Sequence, residues 1–131
     1  MSNNPVVHFE MPYKDPKRVS EFYQKVFGWK MVDAGEQMGH YLLAETAETD
    51  DKQMVKTPGT INGGFYELKQ SPQSKEPSVV ISVPDMKTAI ENVKAADGEM
   101  LGEPTNIPGI GLWVSFKDSE GNRVSILQAS N

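Results

Sequence analysis

At 131 residues the chain is sized for one domain, residues 1–131, which buries roughly two-thirds of its unfolded surface without covalent staples. It has no cysteine, which excludes disulfide frameworks, thiol nucleophiles and cysteine-based zinc sites and fits the expected cytoplasmic location. The net charge is −5 with Lys and Arg scattered singly, which excludes nucleic acid as a partner; no stretch approaches the ~20 apolar residues of a membrane span, and Met1 to Pro5 lack the basic and apolar regions of an export signal, so a soluble, unexported protein with no membrane partner is expected.

Val6 to Met11 alternates Val7, Phe9 and Met11 against His8 and Glu10, the period of a strand with one apolar face, and Pro12 is expected to end it. Asp15 is a natural N-cap and Pro16 suits the first helical position, after which Val19, Phe22, Tyr23, Val26 and Phe27 form an apolar stripe at helical spacing. Gly28 supplies a left-handed exit. Strands are predicted over Trp29 to Val32 and His40 to Glu45, separated by a turn from Gly35 to Gly39. His40 is expected to be an exposed or capping residue. Thr46 to Gly59 is a long polar loop, and Gly63 to Leu68 resumes strand character with glycines that mark a bulge or a close backbone approach. Ser71 to Pro77 is a Ser- and Pro-rich seam.

Ser78 to Val83 opens a second copy of the same unit. A shift of seventy residues carries Asp15 onto Asp85, Lys17 onto Lys87, Glu21 onto Glu91 and Gly28 onto Gly98, while His8 falls on Ser78. Asp85 caps a second helix with a smaller stripe, Met86, Ala89, Ile90, Val93 and Ala96, which Gly98 is expected to end. Glu99 to Ile107, interrupted by Pro104, suits an edge strand; Pro108 to Gly111 is a turn, and Leu112 to Phe116 and Asn122 to Gln128 are a hairpin joined at Asp118 to Gly121. The chain thus reads as α+β, two tandem βαβββ modules spanning about 5–70 and 77–129. Each helix stripe must be buried on one sheet face, so Val7, Phe9, Met11, Val79, Ile81 and Val83 should lie beneath the helices and His8, Glu10, Ser78 and Ser82 on the opposite face.

The Asp-capped first helix with Glu21-Phe22-Tyr23, the Phe27-Gly28-Trp29 ending and the Asp118-Ser119-Glu120-Gly121-Asn122 turn before the last strand resemble the vicinal oxygen chelate superfamily, which includes glyoxalase I, extradiol dioxygenases and bleomycin-resistance proteins. The resemblance implies a curled mixed sheet with helices on its convex side, a small-molecule cleft and a homodimer. Metal-dependent members hold a divalent ion with one ligand on the first and one on the last strand of each module, which chelates adjacent substrate oxygens and stabilises an enolate. Carried onto this sequence, His8 takes the first position, Ser78 and Ser125 take those of the second module, and the remaining one falls between Gly64 and Glu67. Serine is not a ligand type for such an ion, so the site is expected to be degraded, with His8 and Glu67 its only possible remnants. No cofactor is assigned.

Among candidate functional groups, His8 is a remnant ligand, a general base or ligand contact, or a structural histidine. Glu10 is a functional acid, or it pairs with a cation such as Arg123. Tyr41, Ser78, Ser82, Trp113, Arg123 and Ser125 are expected to line the cleft, although core packing explains the aromatics nearly as well. The methionines read as packing, and Gly109-Ile110-Gly111 lacks the strand-to-helix context of a phosphate loop. By resemblance the protein is a glyoxalase-related enzyme acting, as a lyase or isomerase or without metal, on a small carbonyl compound. The alternative is a non-catalytic small-molecule binder of the bleomycin-resistance type, and a scaffold domain with a filled cleft is a third reading.

Overall fold

The computed structural model describes residues 3–68 and 75–130. Most of the expected seam, residues 71–74, lies outside them. The elements are β1 Val6–Tyr13, α1 Pro16–Phe27, β2 Lys30–Asp33, a 3₁₀ turn Glu36–Met38, β3 Leu42–Glu45, β4 Asn62–Glu67, β5 Ser78–Ser82, α2 Met86–Ala95, β6 Glu99–Ile107, β7 Gly111–Lys117 and β8 Arg123–Ala129. The fold is α+β, with parallel and antiparallel strand pairs. The chain divides into two compact units, residues 8–77 and residues 78–131 with the first seven.

In the first unit β1 pairs with β4 in parallel, and β3 pairs antiparallel with both β2 and β4. Tyr13, Leu42, Ala44 and Phe65 form its buried core, with Phe9, Met11, Val19, Tyr23, Trp29 and Met31 packed around it. Asp15 caps α1 by accepting from Arg18 N at 3.0 Å. Only one edge of the α1 stripe is used. Tyr23 stacks on Trp29 at 4.6 Å between centroids and meets Phe65 at 5.2 Å, whereas Phe22, Val26 and Phe27 stay 53%, 54% and 61% exposed. Two strand boundaries in this unit differ by two residues from those read in the sequence, and the others by no more than one. β1 continues through Pro12 to Tyr13, since a proline near a strand end removes one donor and keeps an extended φ. β3 starts only at Leu42, because His40 is left-handed (φ 57°) at the turn exit, where its carbonyl accepts from Tyr13 Oη at 2.9 Å. His40 Nδ1 lies 3.3 Å from Asp33 Oδ2; the Gly35 N–H chiefly, and His40, hold the Asp33 carboxyl below its usual range.

In the second unit β5 pairs with β8 in parallel and β7 pairs antiparallel with β8 and with β6, whose register shifts between Leu101 and Thr105. Val83, Met86, Val114 and Ile126 are buried beneath α2, joined by Ile81, Ala89, Ile90, Leu112 and Phe116. The N-terminus of α2 is held by Asp85, which accepts from Thr88 N, and by Gln128, whose Oε1 accepts from Met86 N at 2.6 Å. The helix exit differs from the sequence expectation. Asp97 takes the left-handed conformation (φ 67°). Gly98 is needed for space instead, since a Cβ there would sit 2.6 Å from Val93 Cγ1 and 3.1 Å from Lys117 O.

That difference makes two substitutions move stability in opposite directions. Asp97→Gly relieves a strained φ and should add about 1 kcal/mol, whereas Gly98→Ala should cost roughly 1–3 kcal/mol through overpacking. Urea denaturation of the two variants measures both; equal and opposite signs to these would place the left-handed residue at 98.

Candidate functional site

One face of each unit carries no helix. In the first unit the parallel register pairs Phe9 with Gly63, Met11 with Phe65 and Tyr13 with Glu67 on the helix side, and His8 with Asn62, Glu10 with Gly64 and Pro12 with Tyr66 on the free side. Glu67 therefore lies beside Tyr13 on the face opposite His8, where its charge joins burial in raising the Tyr13 phenol above its ordinary value. Between Gly64 and Glu67, the β4 positions that share a face with His8 and Glu10 are Gly64, directly opposite Glu10, and Tyr66.

Gly64 leaves room for Tyr41. A Cβ at residue 64 would overlap the phenol of Tyr41, which enters from the start of β3 and lies over the β4 backbone. There Tyr41 Oη is 2.9 Å from His8 Nε2, donates to Glu10 Oε2 at 3.2 Å, and its ring runs nearly parallel to the imidazole, 6.4 Å away at 20°. Gly64 shows in the sequence as half of a double glycine in a strand, but its partner stands 23 positions earlier (64 − 41), too far for local pattern to connect them.

The hydrogen count of this bridge sets its polarity. A phenol has one hydrogen to donate. With that hydrogen on Glu10, the 2.9 Å contact is made by His8 Nε2–H donating to Tyr41 Oη, which leaves Nδ1 as the bare nitrogen. Burial acts in the same direction: it lowers the His8 pKa from 6.5 to about 4, so the ring is neutral at physiological pH. Glu10 is only 6% exposed, and its Oε2 is met by the phenol. Among the described residues no buried side-chain nitrogen or oxygen lacks a partner.

In the second unit Ile81 and Val83 pack beneath α2, which puts Ser78 and Ser82 on the free face. Arg123 Nη1 donates to Ser78 Oγ at 3.3 Å, and its guanidinium lies 5.9 Å from the centre of the Trp113 ring. Ser125, fully buried, shares a 2.9 Å hydroxyl contact with Ser115. Ser82 is tied through its backbone, donating to Pro5 O at 2.9 Å. Ser115 is absent from the sequence-derived set, although alternation from Trp113 puts it on the same face.

These side chains do not fit the divalent ion that the resemblance implied. His8 Nε2 is turned to a phenol, Gly64 has no side chain, Ser78 is bonded to a guanidinium and Ser125 to another serine. Among the described residues no three His, Cys, Asp or Glu side chains come together as an ion site, and such sites are built from imidazole and carboxylate.

Two β-α-β-β-β units with a polar, helix-free face in each define a class of protein. The chain belongs to the Glyoxalase/Bleomycin resistance protein/Dioxygenase superfamily, whose profile matches residues 6–126. No curated protein is significantly similar to it in sequence. Similar solved structures include Streptomyces coelicolor methylmalonyl-CoA epimerase in complex with 2-nitronate-propionyl-CoA (12% identity, 99% of this chain and 100% of that one, TM-score 0.72). Others are methylmalonyl-CoA epimerase from Mycobacterium tuberculosis (12%, 96% and 88%, 0.65) and a hypothetical protein from Bacillus halodurans (15%, 99% and 97%, 0.69). At these identities the likeness is one of fold. None of the helices in the described residues is long and apolar enough to cross a membrane.

The buried neutral histidine makes stability depend on pH. Its folded pKa lies below the unfolded value, so between pH 6.5 and about 4 the unfolded chain binds more protons. The contribution is complete above 6.5 and is lost as pH falls through that window, with an upper bound of roughly 3–4 kcal/mol. The lowered carboxyls of Asp33, Asp85 and Asp118 begin to act only below about pH 5, so the upper part of the window reports on His8. Denaturant midpoints measured across the window should fall for the parent and flatten for His8→Gln, and an NMR midpoint for His8 near its ordinary value would contradict the burial.

Proposed function

We propose that this chain is an enzyme that moves a proton next to the carbonyl of a small compound, without a divalent ion at the superfamily's usual position. The observation that carries this reading is the phenol of Tyr41 held over Gly64 between His8 Nε2 and Glu10 Oε2. A carbonyl oxygen entering the site takes the phenol hydrogen bond in place of Glu10. The Glu10 carboxylate accepts the proton from the adjacent carbon, the C–H electrons pass to the carbonyl oxygen, and the resulting enolate is held by Tyr41 O–H. His8 N–H, donating to the phenol oxygen, steadies the charge the phenol takes up as it donates. Return of the proton from Glu10 to the same side of that carbon, after its exchange with solvent, gives α-proton exchange; epimerisation follows when the enolate turns its other face to Glu10 before the proton returns. The similarity of fold to proteins named as methylmalonyl-CoA epimerases supports this class of chemistry. A cytoplasmic homodimer goes with the reading, supported by the absence of cysteine and by exposed Phe22, Val26 and Phe27 on α1; sedimentation equilibrium decides the oligomeric state.

The test is deuterium incorporation from D₂O into the α-carbon of small aldehydes, ketones and thioesters, followed by proton NMR. Exchange should persist in EDTA. It should fall by about 10²–10⁴ in Glu10→Gln, the range for a lost general base, and by about 10²–10³ in Tyr41→Phe, the range for a lost oxyanion donor. Loss of exchange in EDTA overturns the metal-independent mechanism. Binding of the same compounds without exchange in any of them replaces it with a non-catalytic binder of the bleomycin-resistance type.

A further inference from the structure

Of the three residues in the His8–Tyr41–Glu10 bridge, Tyr41 is the one outside a strand. His8 and Glu10 are in β1, whereas β3 begins one residue after Tyr41, at Leu42, which pairs with Phe65. The residue before Tyr41, His40, stands at a φ of 57°. That conformation costs free energy in a residue with a side chain and persists only where the surroundings impose it. The position of the phenol therefore depends on what holds the turn that delivers it.

Some of the holds are internal to the turn. His40 N donates to Gly35 O at 3.0 Å, Tyr41 N donates to Met38 O at 3.2 Å, and the exposed side chains of Asp33 and His40 meet at 3.3 Å. Contacts of this kind set the shape of the turn without setting where it stands against the sheet. Two bonds tie it to the strands. Ala34 N donates to Tyr41 O at 2.8 Å, which extends the β2/β3 ladder by one pair, and Tyr13 Oη donates to His40 O at 2.9 Å. The second bond comes from β1 itself, from a side chain only 4% exposed in the core with Leu42, Ala44 and Phe65.

That bond acts on Tyr41 directly, because the His40 carbonyl and the Tyr41 N–H belong to one planar peptide unit. With its oxygen tied to Tyr13 and its N–H to Met38, the plane cannot turn without breaking a bond. Its orientation sets the direction in which the Tyr41 side chain leaves. Burial chiefly, together with the charges of Glu67 and Asp33, raises the Tyr13 phenol above its ordinary value, so it keeps its hydrogen for this bond.

We infer that Tyr13 is a positioning residue of the site: its hydroxyl, acting through the His40–Tyr41 peptide from the helix side of the sheet, sets the Tyr41 phenol over Gly64 and onto Glu10. One strand thus carries both the acceptor of the bridge and the anchor of its donor. The placement of Tyr41 needs no turnover to be tested; its consequence for rate rests on the proton-transfer reading.

Carbon-13 NMR of the full chain labelled at tyrosine Cζ tests the inference, with the Tyr41 signal assigned by its loss in Tyr41→Phe. Tyr13→Phe keeps the ring in the core and removes the donor. The Tyr41 signal should then move toward that of a water-exposed tyrosine, whereas Val19→Ala, which loosens the same core without touching the peptide, should leave it in place. Tyr13→Phe should also lower kcat for deuterium exchange about ten- to a hundredfold, the scale of a misplaced catalytic group, at unchanged KM. A Tyr41 signal that stays in place in Tyr13→Phe, one that moves equally in Val19→Ala, or an unaltered kcat overturns the inference. Should Tyr13→Phe fail to fold, the parent chain decides: a Tyr13 hydroxyl proton that exchanges slowly with water supports the hold on His40, and one that exchanges as fast as in free tyrosine overturns it. Absence of deuterium exchange in every compound defeats the proton-transfer reading and leaves the NMR comparison to decide the placement of Tyr41.

Discussion

Each βαβββ unit has a single helix, and one helix can cover only one face of the strands it follows. The period of two then sorts every strand residue onto the covered or the uncovered side. Phe9, Met11 and Phe65 in the first unit, and Ile81, Val114 and Ile126 in the second, go beneath the helices and form the two cores. What remains is a face that must accept His8, Glu10 and Gly64 in one unit and Ser78, Arg123 and Ser125 in the other. Polar groups placed there still have to be satisfied as they become buried. The contacts that satisfy them, phenol to carboxylate, guanidinium to hydroxyl and serine to serine, are also the ones that give each face its chemistry.

The central contact depends on a residue with no side chain. Tyr41 reaches Glu10 and His8 because residue 64 is glycine. The single hydrogen of the phenol then orders the bridge: Glu10 accepts, Tyr41 donates and accepts, and His8 donates. Burial acts on the same histidine by disfavouring its charged form, so geometry and solvation agree on a neutral ring with Nε2 protonated. An imidazole in that state serves as a donor that positions the phenol.

The fold was largely legible in the sequence, because a period-two strand, an Asp cap with Pro after it, and the recurrence of both seventy residues later are local signals. The departures were also local in cause. Residue type alone could not show that Asp97 rather than Gly98 would take the positive φ, since that depends on the Cγ1 of Val93 and the carbonyl of Lys117 crowding residue 98. The α1 stripe promised five buried residues, but spacing states which residues share a face and not how wide the surface beneath them is. At the site, His8, Glu10 and Tyr41 were each legible as candidates by alternation. Their union was not, because a contact between residues 31 and 33 positions apart is decided by the β3/β4 and β1/β4 registers. Those same registers decide that Glu67 faces away from His8.

The two repeats show why the superfamily's usual ion fits this chain so poorly. In the ladder, Glu10 is paired with Gly64 in the first unit and Val80 with Ser125 in the second. The repeat thus makes Gly64 and Ser125 equivalent, just as it makes His8 and Ser78 equivalent. At three of the four positions, Gly64, Ser78 and Ser125, no imidazole or carboxylate is present, and at the fourth the His8 Nε2 is met by a phenol. Gly64 admits Tyr41, which occupies His8. Ser125 admits Ser115, and Ser78 is held by Arg123. Returning a carboxylate to residue 64 would first expel the phenol from its position over β4, and with it the bridge between His8 and Glu10. In the first unit the phenol thus lies where a side chain at residue 64 would have to stand.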